Sequence, residues 1–332
     1  MRILFITDAW HPQINGVVRT LSTTGRELEK MGHTVRFIGP DQFRTMSLPG
    51  YAEIKVALLP GRRLERLMLE FKPQAIHIAT EGPLGWAARG ICRRRGFQFT
   101  SSYHTCFPEY LAERLPVPID WTYAILRRFH GASAAVMVAT PSITQTLTAR
   151  GFGNLRRWTR GVDTDLFRPR AKDFIDAPRP VSMFVGRVAV EKNLDAFLSL
   201  PSPGTKFVVG GGPMLQTLQR RYPDVRFVGP RQGEELAAYY AAADVFVFPS
   251  RTDTFGLVML EALASGVPVA AYPVQGPLDV IGDTDVGVLD EDLGRAMSQA
   301  LEIDPARCRD YALGQSWQVA ARQFLNNVQP CV

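Results

Sequence analysis

The chain has 332 residues, which is too long for one ordinary hydrophobic core and fits two domains of about 150 residues each. Its composition, with 46% hydrophobic and 21% charged residues, is typical of a globular protein and excludes a low-complexity or fibrous chain. The formal net charge is +6, and no apolar stretch reaches the roughly 20 residues that a membrane span requires.

Positive charge is concentrated in the first half of the chain. Residues 1–170 carry 24 Lys and Arg against 13 Asp and Glu, a net charge of +11, while the remaining residues carry 14 against 19, a net charge of −5. The basic clusters are Arg62-Arg63-x-x-Arg66, Arg93-Arg94-Arg95, and Arg127-Arg128 with His130. Such clusters suit an anionic membrane surface. Nucleic acid is the rival partner, but no nucleic-acid-binding signature accompanies the charge, so we expect a membrane and no nucleic acid.

The first residues and the cysteines indicate the cellular compartment. Met1–Phe5 leads straight into a strand without the architecture of a signal peptide. The four cysteines show no Cys-x-x-Cys spacing and no histidine at the spacing of a metal site, which predicts reduced thiols. We therefore expect a cytoplasmic protein that binds peripherally to the inner face of the cytoplasmic membrane.

Short apolar strands alternate with helical patterns and glycine turns along the whole chain. The predicted strands are Arg2–Thr7, Thr34–Gly39, Ala75–Thr80, Gln98–Tyr103, Ala135–Thr140, Val181–Arg187, Lys206–Gly211, Val225–Gly229, Val245–Phe248 and Val267–Ala271. This alternation predicts an α/β protein with parallel, doubly wound sheets. Prolines and charges interrupt the pattern at 166–180, which indicates a linker between a first domain, residues 1–168, and a second, residues 169–314.

Loops that follow the strands of the first domain carry candidate site residues. Gly16 opens a helix after the first strand, and it fits either a ligand contact or a simple helix start. The motif Gly-x-Gly-x-x-Gly is absent there, which argues against a dinucleotide-binding dehydrogenase. Two later loops are Thr80–Gly85 and Ser102–Tyr110. A lone histidine at a strand end is usually structural, but His104 is flanked by Tyr103, Thr105 and Glu109.

An Asp-x-Asp motif, Asp163-x-Asp165, follows Arg160 at the end of the first domain. In a different fold this motif binds a divalent metal together with a nucleotide diphosphate. We reject that interpretation, because the motif lies at the domain junction and because Arg187 and Lys192 can neutralise phosphate instead. The expectation is that no metal is used.

Two cations follow the first strand of the second domain, in the segment Gly186–Asn193. Arg187 and Lys192 lie just beyond the carboxyl end of that strand, where open α/β sheets bind ligands. Charge-assisted hydrogen bonds from such groups contribute roughly 1.5–3 kcal/mol each, which suits a phosphate. After the next strand, Gly211 and Gly212 either let the backbone approach a ligand closely or form an ordinary turn.

The most informative segment is Pro249–Gly266, which holds Asp253 and Glu261 eight residues apart. A helix is predicted from Gly256, because apolar residues follow it at helical spacing. The helix N-terminus would attract an anion, while the two acids could hold hydroxyls, and a sugar nucleotide presents both groups. Two solvated acids on a strand, loop and helix are the alternative.

This segment resembles the donor-site signature of the retaining family 4 glycosyltransferases, normally Glu, seven residues, Glu. Asp253 replaces the first Glu, as in the subgroup of sulfolipid synthases, α-mannosyltransferases and glycolipid glucosyl- or glucuronosyltransferases. Gly186–Asn193, His104–Pro108 and Glu81–Pro83 resemble further elements of that family. The resemblance implies the GT-B fold, in which two Rossmann-like domains face a cleft and a C-terminal helix, residues 315–332, packs back on the first domain.

The resemblance also implies a role for each candidate residue. Glu261 holds the ribose hydroxyls of the nucleotide. The implied catalytic residues, which meet the diphosphate or the transferred sugar, are His104, Asp253, Arg187 and Lys192. The other donor-site residues are Gly16, Gly211, Gly212, Thr254, Phe255, Gly256 and Leu257. The acceptor side consists of Glu81, Gly82, Tyr103, Glu109 and Arg160.

The predicted function is metal-independent, retaining hexosyl transfer from a UDP- or GDP-sugar to an acceptor hydroxyl, with no cofactor. The basic first domain favours a membrane lipid or glycolipid as acceptor. Cations and helix N-termini would stabilise the departing diphosphate, and the resemblance implies that this phosphate helps to deprotonate the acceptor. A GT-B nucleotide-sugar epimerase and a non-catalytic partner subunit are the alternatives. The presence of Arg187, Lys192, Glu261 and His104 argues against the second.

Overall fold

A computed structural model describes residues 1–11, 13, 16–48, 51–104, 118–251, 255–282 and 284–331, with only the backbone at 48 and 51–54. The chain forms two compact units. Unit 1 contains Met1–Arg160 and Trp317–Val332, and unit 2 contains Gly161–Ser316. Residues 161–168, which the sequence analysis assigns to the first domain, pack with unit 2, because Val162 and Phe167 are buried in its core.

Unit 1 is built on a parallel sheet. Its strands are β1 (Arg2–Ile6), β2 (Thr34–Ile38), β3 (Thr45–Leu48), β4 (Tyr51–Ala57), β5 (Ala75–Ile78), β6 (Thr100–Tyr103), β7 (Ala135–Val138) and β8 (Leu155–Arg157). Its first helices are α1 (Gly16–Lys30), α2 (Gly61–Phe71), α3 (Pro83–Arg95), α4 (Ile119–His130) and α5 (Pro141–Ala149). The sheet order is β2-β1-β5-β6-β7-β8, while β3 and β4 form a separate antiparallel pair. The direction of strand addition reverses between β1 and β5.

Unit 2 repeats this architecture. Its strands are β9 (Val181–Val185), β10 (Thr205–Val209), β11 (Arg226–Gly229), β12 (Val245–Phe248), β13 (Val269–Ala271) and β14 (Gly287–Leu289). Its helices are α6 (Leu194–Leu198), α7 (Leu215–Arg221), α8 (Gly233–Ala242), α9 (Leu257–Ala264), α10 (Gln275–Val280), α11 (Leu293–Ala300) and α12 (Pro305–Leu313). The order β11-β10-β9-β12-β13-β14 reverses between β9 and β12, and ligands of such sheets bind outside the carboxyl ends of the strands at that point.

Helices cover both faces of a parallel sheet, so its central strands are buried along their length and mostly apolar, although β6 is made of Thr, Ser, Ser and Tyr. Every residue of β5, β9 and β12 is buried. All ten predicted strands overlap observed parallel strands, so the prediction of two doubly wound α/β domains is confirmed.

The C-terminal helix α13 (Trp317–Asn327) belongs to unit 1. Its Phe324 stacks on Phe5 of β1, with ring centroids 5.0 Å apart, and its buried residues are Trp317, Ala320, Ala321 and Phe324. The predicted return of this helix to the first domain is therefore confirmed. Among the helices of the described residues, none combines the length and the apolar character that crossing a bilayer would take.

Candidate active site

The structure brings together two predicted motifs of unit 2 at the reversal point of its sheet. The loop after β9 carries Arg187 and Lys192, and the loop after β12 begins at Pro249. The side-chain amide of Asn193 donates to the carbonyl oxygen of Pro249 at 3.1 Å, and the Ser250 hydroxyl donates to the carbonyl oxygen of Glu191 at 3.3 Å. These bonds fix the cation loop against the chain that leads to α9.

The two cations differ in exposure. Arg187 is exposed, and no carboxylate of the described residues forms an ion pair with its guanidinium. Lys192 is half-buried and ends a short 3-10 turn, in which its backbone N–H donates to the carbonyl of Ala189 at 3.1 Å. A guanidinium that no acid of the described chain neutralises can meet an anion from solution.

Glycines let the loops after β9 and β10 approach each other closely. Gly210 and Gly212 have φ of 151° and 158°, values that strain other residues. A Cβ on Gly210 would lie 1.8 Å from the carbonyl oxygen of Gly186, and one on Gly212 would lie 2.3 Å from that of Val188. Internal packing therefore already requires glycine at these two positions.

Beside these loops lies an open depression of about 480 Å³. Its lining includes Gly186, Arg187, Gly210, Gly211, Gly212, Pro230 and Arg231. The predicted donor residues Gly211 and Gly212 thus share one concave surface with Arg187. Pro230 and Arg231, which follow β11, have no counterpart in the sequence prediction.

Glu261 lies inside α9 and is 2% exposed. The hydroxyl of Tyr240 on α8 donates to Glu261 Oε2 at 2.9 Å. Helix α9 begins at Leu257 after Gly256, whose φ of 75° lies in the left-handed region, and Phe255 packs partly buried against the core. The helix start at Gly256 is as predicted, whereas Asp253 and Thr254 lie outside the described residues.

In unit 1, the predicted Glu81-Gly82 loop lies beside a carboxylate that the sequence prediction does not include. Asp8, after β1, accepts the backbone N–H groups of Leu84 at 2.8 Å and Gly85 at 3.2 Å, and the hydroxyl of Thr80 at 2.9 Å. Burial raises the pKa of Asp8 above its usual value, although these hydrogen bonds oppose the shift. A Cβ on Gly82 would lie 2.4 Å from Asp8 Cγ, so packing explains this glycine.

Glu81 has a partner within unit 1. The Nε2 atom of the buried His130 lies 3.0 Å from Glu81 Oε1, and its Nδ1 atom lies 2.8 Å from the Ser101 hydroxyl. His130 therefore bridges the loop after β5 and the strand β6. Glu81 belongs to this internal network as well as to the predicted acceptor side.

Two residues predicted on the acceptor side are buried. Tyr103 is 2% exposed and packs with Tyr123 in the core of unit 1, so its ring has a packing role. Arg160 is 6% exposed, and its guanidinium lies 2.9 Å from Nδ1 of the half-buried His104. Tyr103 ends the buried strand β6, whereas Arg160 lies in the loop that follows β8. Glu109 lies outside the described residues.

Gly16 is exposed and forms the first residue of α1. A Cβ there would meet no atom within 4 Å, so packing does not require glycine at this position.

The Asp163-x-Asp165 motif has a structural use. Asp163 Oδ1 accepts the backbone N–H groups of Asp165 at 3.2 Å and Leu166 at 3.0 Å, which caps the turn there. Within the described part of the chain, no cluster of three or more His, Cys, Asp or Glu side chains could hold a metal ion.

Two family models match most of the chain. A family described as "Glycosyltransferase Family 4" matches residues 14–166, and one described as "Glycosyl transferases group 1" matches residues 179–303. The chain is a family 4 glycosyltransferase. It is similar to a GDP-mannose-dependent alpha-mannosyltransferase of Mycobacterium tuberculosis, with 29% identity over 99% of this chain and 96% of the relative.

This glycosyltransferase is also similar to two proteins that act with other sugars. The sulfoquinovosyl transferase SQD2 of Arabidopsis thaliana is 30% identical over 86% of this chain and 62% of the relative. An alpha-monoglucosyldiacylglycerol synthase of Streptococcus pneumoniae is 26% identical over 98% and 83%. The solved sucrose-phosphate synthase of Thermosynechococcus elongatus superposes with a TM-score of 0.74 at 23% identity, covering 98% of this chain and 97% of that one. This likeness shows that the glycosyltransferase has the GT-B fold.

Sequence reasoning missed residues of this glycosyltransferase that act through distant partners. Asp8, Tyr240 and His77 lie on or beside strands and helices whose mostly apolar pattern predicts only packing, and Ser102, which begins a predicted loop, was given no role. A polar residue just after a buried strand is the one signal that could have singled out Asp8, which lies two residues beyond the end of β1. The partners of the other three are visible only in the folded structure.

Proposed function

We propose that this glycosyltransferase transfers a hexose from a UDP- or GDP-sugar to a hydroxyl group of a membrane lipid or glycolipid, with retention of configuration. The observation that carries the proposal is the arrangement at the reversal point of the unit 2 sheet. There Arg187 and Lys192 lie on a loop that is hydrogen-bonded to the chain leading to α9 and Glu261. The exposed guanidinium of Arg187, which no acid of the described residues neutralises, and the buried carboxylate of Glu261 suit a ligand that carries both phosphates and hydroxyls.

The chemistry requires the departing diphosphate to be stabilised. In the transfer, the bond between the sugar C1 and the phosphate oxygen breaks, and a bond from C1 to the acceptor oxygen forms on the same face. The acceptor proton passes to an oxygen of the leaving phosphate. Arg187 and Lys192 stabilise the negative charge that grows on this diphosphate, which is electrostatic catalysis. Glu261 accepts hydrogen bonds from the ribose hydroxyls, and His104 and Asp253 contact the transferred sugar.

The name of one relative, an alpha-monoglucosyldiacylglycerol synthase, supports a lipid acceptor. A surface of unit 1 adds to this support. On α4, Trp121 and Ile125 are 71% and 53% exposed and lie one turn apart, with the exposed Arg128 one further turn along the same face. A tryptophan, an aliphatic residue and a cation on one helix face suit an anionic membrane surface.

The other basic clusters are partly neutralised. Arg94 and Arg95 both form ion pairs with Glu65, at 3.6 and 2.8 Å, and hydrogen bonding to Arg95 lowers the pKa of the Glu65 carboxyl. Arg66 lies 3.7 Å from Glu70. The α4 face is therefore the part of unit 1 that we propose to dock on the inner face of the cytoplasmic membrane.

We expect peripheral, reversible binding to vesicles that contain anionic lipid. Each engaged basic residue contributes about 1 kcal/mol near such a surface. Salt should reverse the attraction, because the Debye length falls from about 10 Å at 0.1 M to about 3 Å at 1 M. Replacing Trp121 with serine should weaken binding about tenfold, since burying a large apolar side chain contributes roughly 1.5–3 kcal/mol.

Co-sedimentation with neutral and anionic vesicles at both salt levels measures this. Leu313→Ser in unit 2 is the matched control, because it removes another exposed apolar side chain. Equal, negligible binding to neutral and anionic vesicles would remove the membrane from the account and favour a soluble acceptor.

The proposed activity is tested by incubating the protein with a panel of labelled UDP-, GDP- and ADP-sugars and a membrane extract. We expect one nucleotide sugar to be consumed and its label to appear in a lipid fraction. Release of free or epimerised sugar without an acceptor would instead identify a nucleotide-sugar epimerase. A folded protein that consumes none of the donors would be a non-catalytic partner subunit.

Chelation with EDTA should leave most of the transfer activity in place. The reason is that Arg187 and Lys192 supply the positive charge that a divalent metal would otherwise supply. The rate of transfer before and after chelation is the measurement. Activity that disappears with EDTA and returns with Mg²⁺ or Mn²⁺ would restore the metal interpretation of Asp163-x-Asp165.

A further inference from the structure

A continuous line of hydrogen-bonded side chains runs through the interior of unit 1. The guanidinium of Arg160 lies 2.9 Å from His104 Nδ1, and His104 Nε2 lies 2.8 Å from the Ser102 hydroxyl. The same hydroxyl lies 3.1 Å from His77 Nε2, and His77 Nδ1 lies 2.9 Å from the Thr100 hydroxyl. His77, Ser102 and Thr100 are fully buried.

Arg160 sets the direction of the two hydrogen bonds of His104. A guanidinium can only donate, so His104 Nδ1 accepts and Nε2 carries the proton of the neutral ring. That Nε2–H donates to the Ser102 oxygen. The Ser102 hydroxyl then has two acceptors within reach, His77 Nε2 at 3.1 Å and the carbonyl oxygen of Ala79 at 3.4 Å, and we assign its proton to the shorter contact, with His77. His77 Nδ1–H then donates to Thr100, whose hydroxyl is directed at the carbonyl of Ile76 at 3.4 Å.

Both histidines are neutral at pH 7. Burial, and secondly the charge of Arg160, lowers the pKa of His104 well below its ordinary value, and burial lowers the pKa of His77 to about 3. Burial also lowers the pKa of the Arg160 guanidinium to about 9, so Arg160 keeps its proton at pH 7. The line thus has one fixed donor and two rings whose tautomers follow from it.

The burial of Arg160 is costly, and structure alone does not account for it. Among the described residues no carboxylate forms an ion pair with Arg160. Its other partners are the backbone carbonyls of Trp158 at 2.9 Å and Thr159 at 3.4 Å, and the Trp158 ring, 4.8 Å from the guanidinium carbon. Burying an uncompensated charge destabilises a fold. A role in orienting His104 explains why the charge is there.

We propose that Arg160 is a positioning residue that fixes His104 as the Nε2–H tautomer in one ring orientation, and that His77 takes the Nδ1–H tautomer as a result. Both ring nitrogens of His104 are then occupied by the protein, so its ring contacts the donor sugar without transferring a proton. The part of this inference that concerns the sugar rests on the proposed function. The assignment of the two histidine tautomers is independent of the proposed function.

Nitrogen NMR of the full chain with labelled histidine tests the tautomers directly. The five histidines can be assigned by replacing them one at a time. In the unmodified protein we expect a protonated Nε2 and an unprotonated Nδ1 on His104, and the reverse on His77. The opposite tautomer on His104, or an imidazolium, would overturn the proposal without any variant.

Two variants then test the direction of the line. Arg160→Met should give mixed tautomers on both rings, whereas Ser102→Ala should change His77 and leave His104 as it is. Arg160→Lys, which keeps a donor, should restore the His104 tautomer, and Arg156→Met on the exposed surface should change neither ring. A His104 tautomer that is unchanged in Arg160→Met but altered in Ser102→Ala would contradict the proposal.

The kinetic readout separates this inference from the proposed function. Arg160→Met should lower kcat about tenfold or more through misplacement of His104, with little change in the KM for the donor. If Arg160→Met has mixed histidine tautomers but keeps the kcat of the unmodified protein, the positioning role is refuted. If the unmodified protein transfers no sugar, the proposed function is refuted. The NMR measurement of the tautomers would still test whether Arg160 orients His104.

Discussion

Replacing Arg187 with alanine should lower turnover by about 10²–10³-fold, and Lys192→Ala should do the same. Each change removes a cation from a diphosphate whose negative charge grows in the transition state. The unfolding temperature without ligand should barely change for Arg187→Ala, because the side chain is exposed and forms no ion pair with the described residues. Steady-state kinetics and thermal unfolding of each variant are the measurements.

Arg220→Ala is the matched control for this pair. Arg220 is an exposed arginine near the end of α7 in the same unit, so the variant has the same change in net charge as Arg187→Ala. Its turnover should stay within about twofold of the unmodified protein, as expected for a surface change away from the site. Near-normal turnover in both Arg187→Ala and Lys192→Ala would refute the assignment of the diphosphate to this loop.

Glu261→Gln should weaken the binding of the nucleoside diphosphate at least tenfold, which corresponds to about 1.4 kcal/mol. Glutamine has the same size and can still accept the hydrogen bond from Tyr240. It replaces one carboxylate oxygen by an NH₂ group, which cannot accept a hydrogen bond from a ribose hydroxyl. Calorimetric titration with UDP and with GDP gives the affinities.

Two further variants show whether the acids have separate roles. Asp253→Asn should mainly reduce transfer and leave the affinity for the nucleoside diphosphate intact. Tyr240→Phe keeps the Glu261 carboxylate but removes its donor, so it should cost less affinity than Glu261→Gln. Identical behaviour of Glu261→Gln and Asp253→Asn in both titration and turnover would mean that the ribose and sugar roles are not divided in this way.

The central strands were predictable because a strand that is buried on both faces is usually a run of mostly apolar residues. β12 is an apolar run of four residues, β9 has four apolar residues and one serine, and a glycine or proline follows each. The edge strands β8 and β14 have only three residues each, too few for a period to show, and neither is fully buried. The antiparallel pair β3–β4 escaped prediction because the predicted strands were mainly apolar runs, whereas β3 alternates polar and apolar residues.

The sequence indicated which loops of unit 2 carry the candidate site residues, but it did not indicate the partners of their side chains. Arg187 and Glu261 could be placed because each follows a strand closely in the chain. The bond between Tyr240 and Glu261 joins residues 21 positions apart, and that between Arg160 and His104 spans 56 positions. Such pairs depend on how helices and strands pack, which a local pattern does not contain.

The glycines also show that a local sequence pattern does not identify the neighbours of a residue. The resemblance implied that Gly82 belongs to the acceptor side and Gly212 to the donor site, and the structure shows that a neighbouring side chain and a backbone carbonyl already exclude a Cβ at these positions. A sequence records that no side chain is tolerated at a position. It does not record whether a ligand or the protein itself occupies the space.

The most direct test of sugar transfer with retention is a proton NMR time course of the reaction between the donor chosen from the panel and its lipid acceptor. The anomeric signal reports both consumption of the donor and the configuration of the new linkage. We expect nucleoside diphosphate and glycolipid to appear in equal amounts, only when the acceptor is present, with the anomeric configuration of the donor retained. An inverted linkage, or release of free sugar at the same rate without acceptor, would contradict the account.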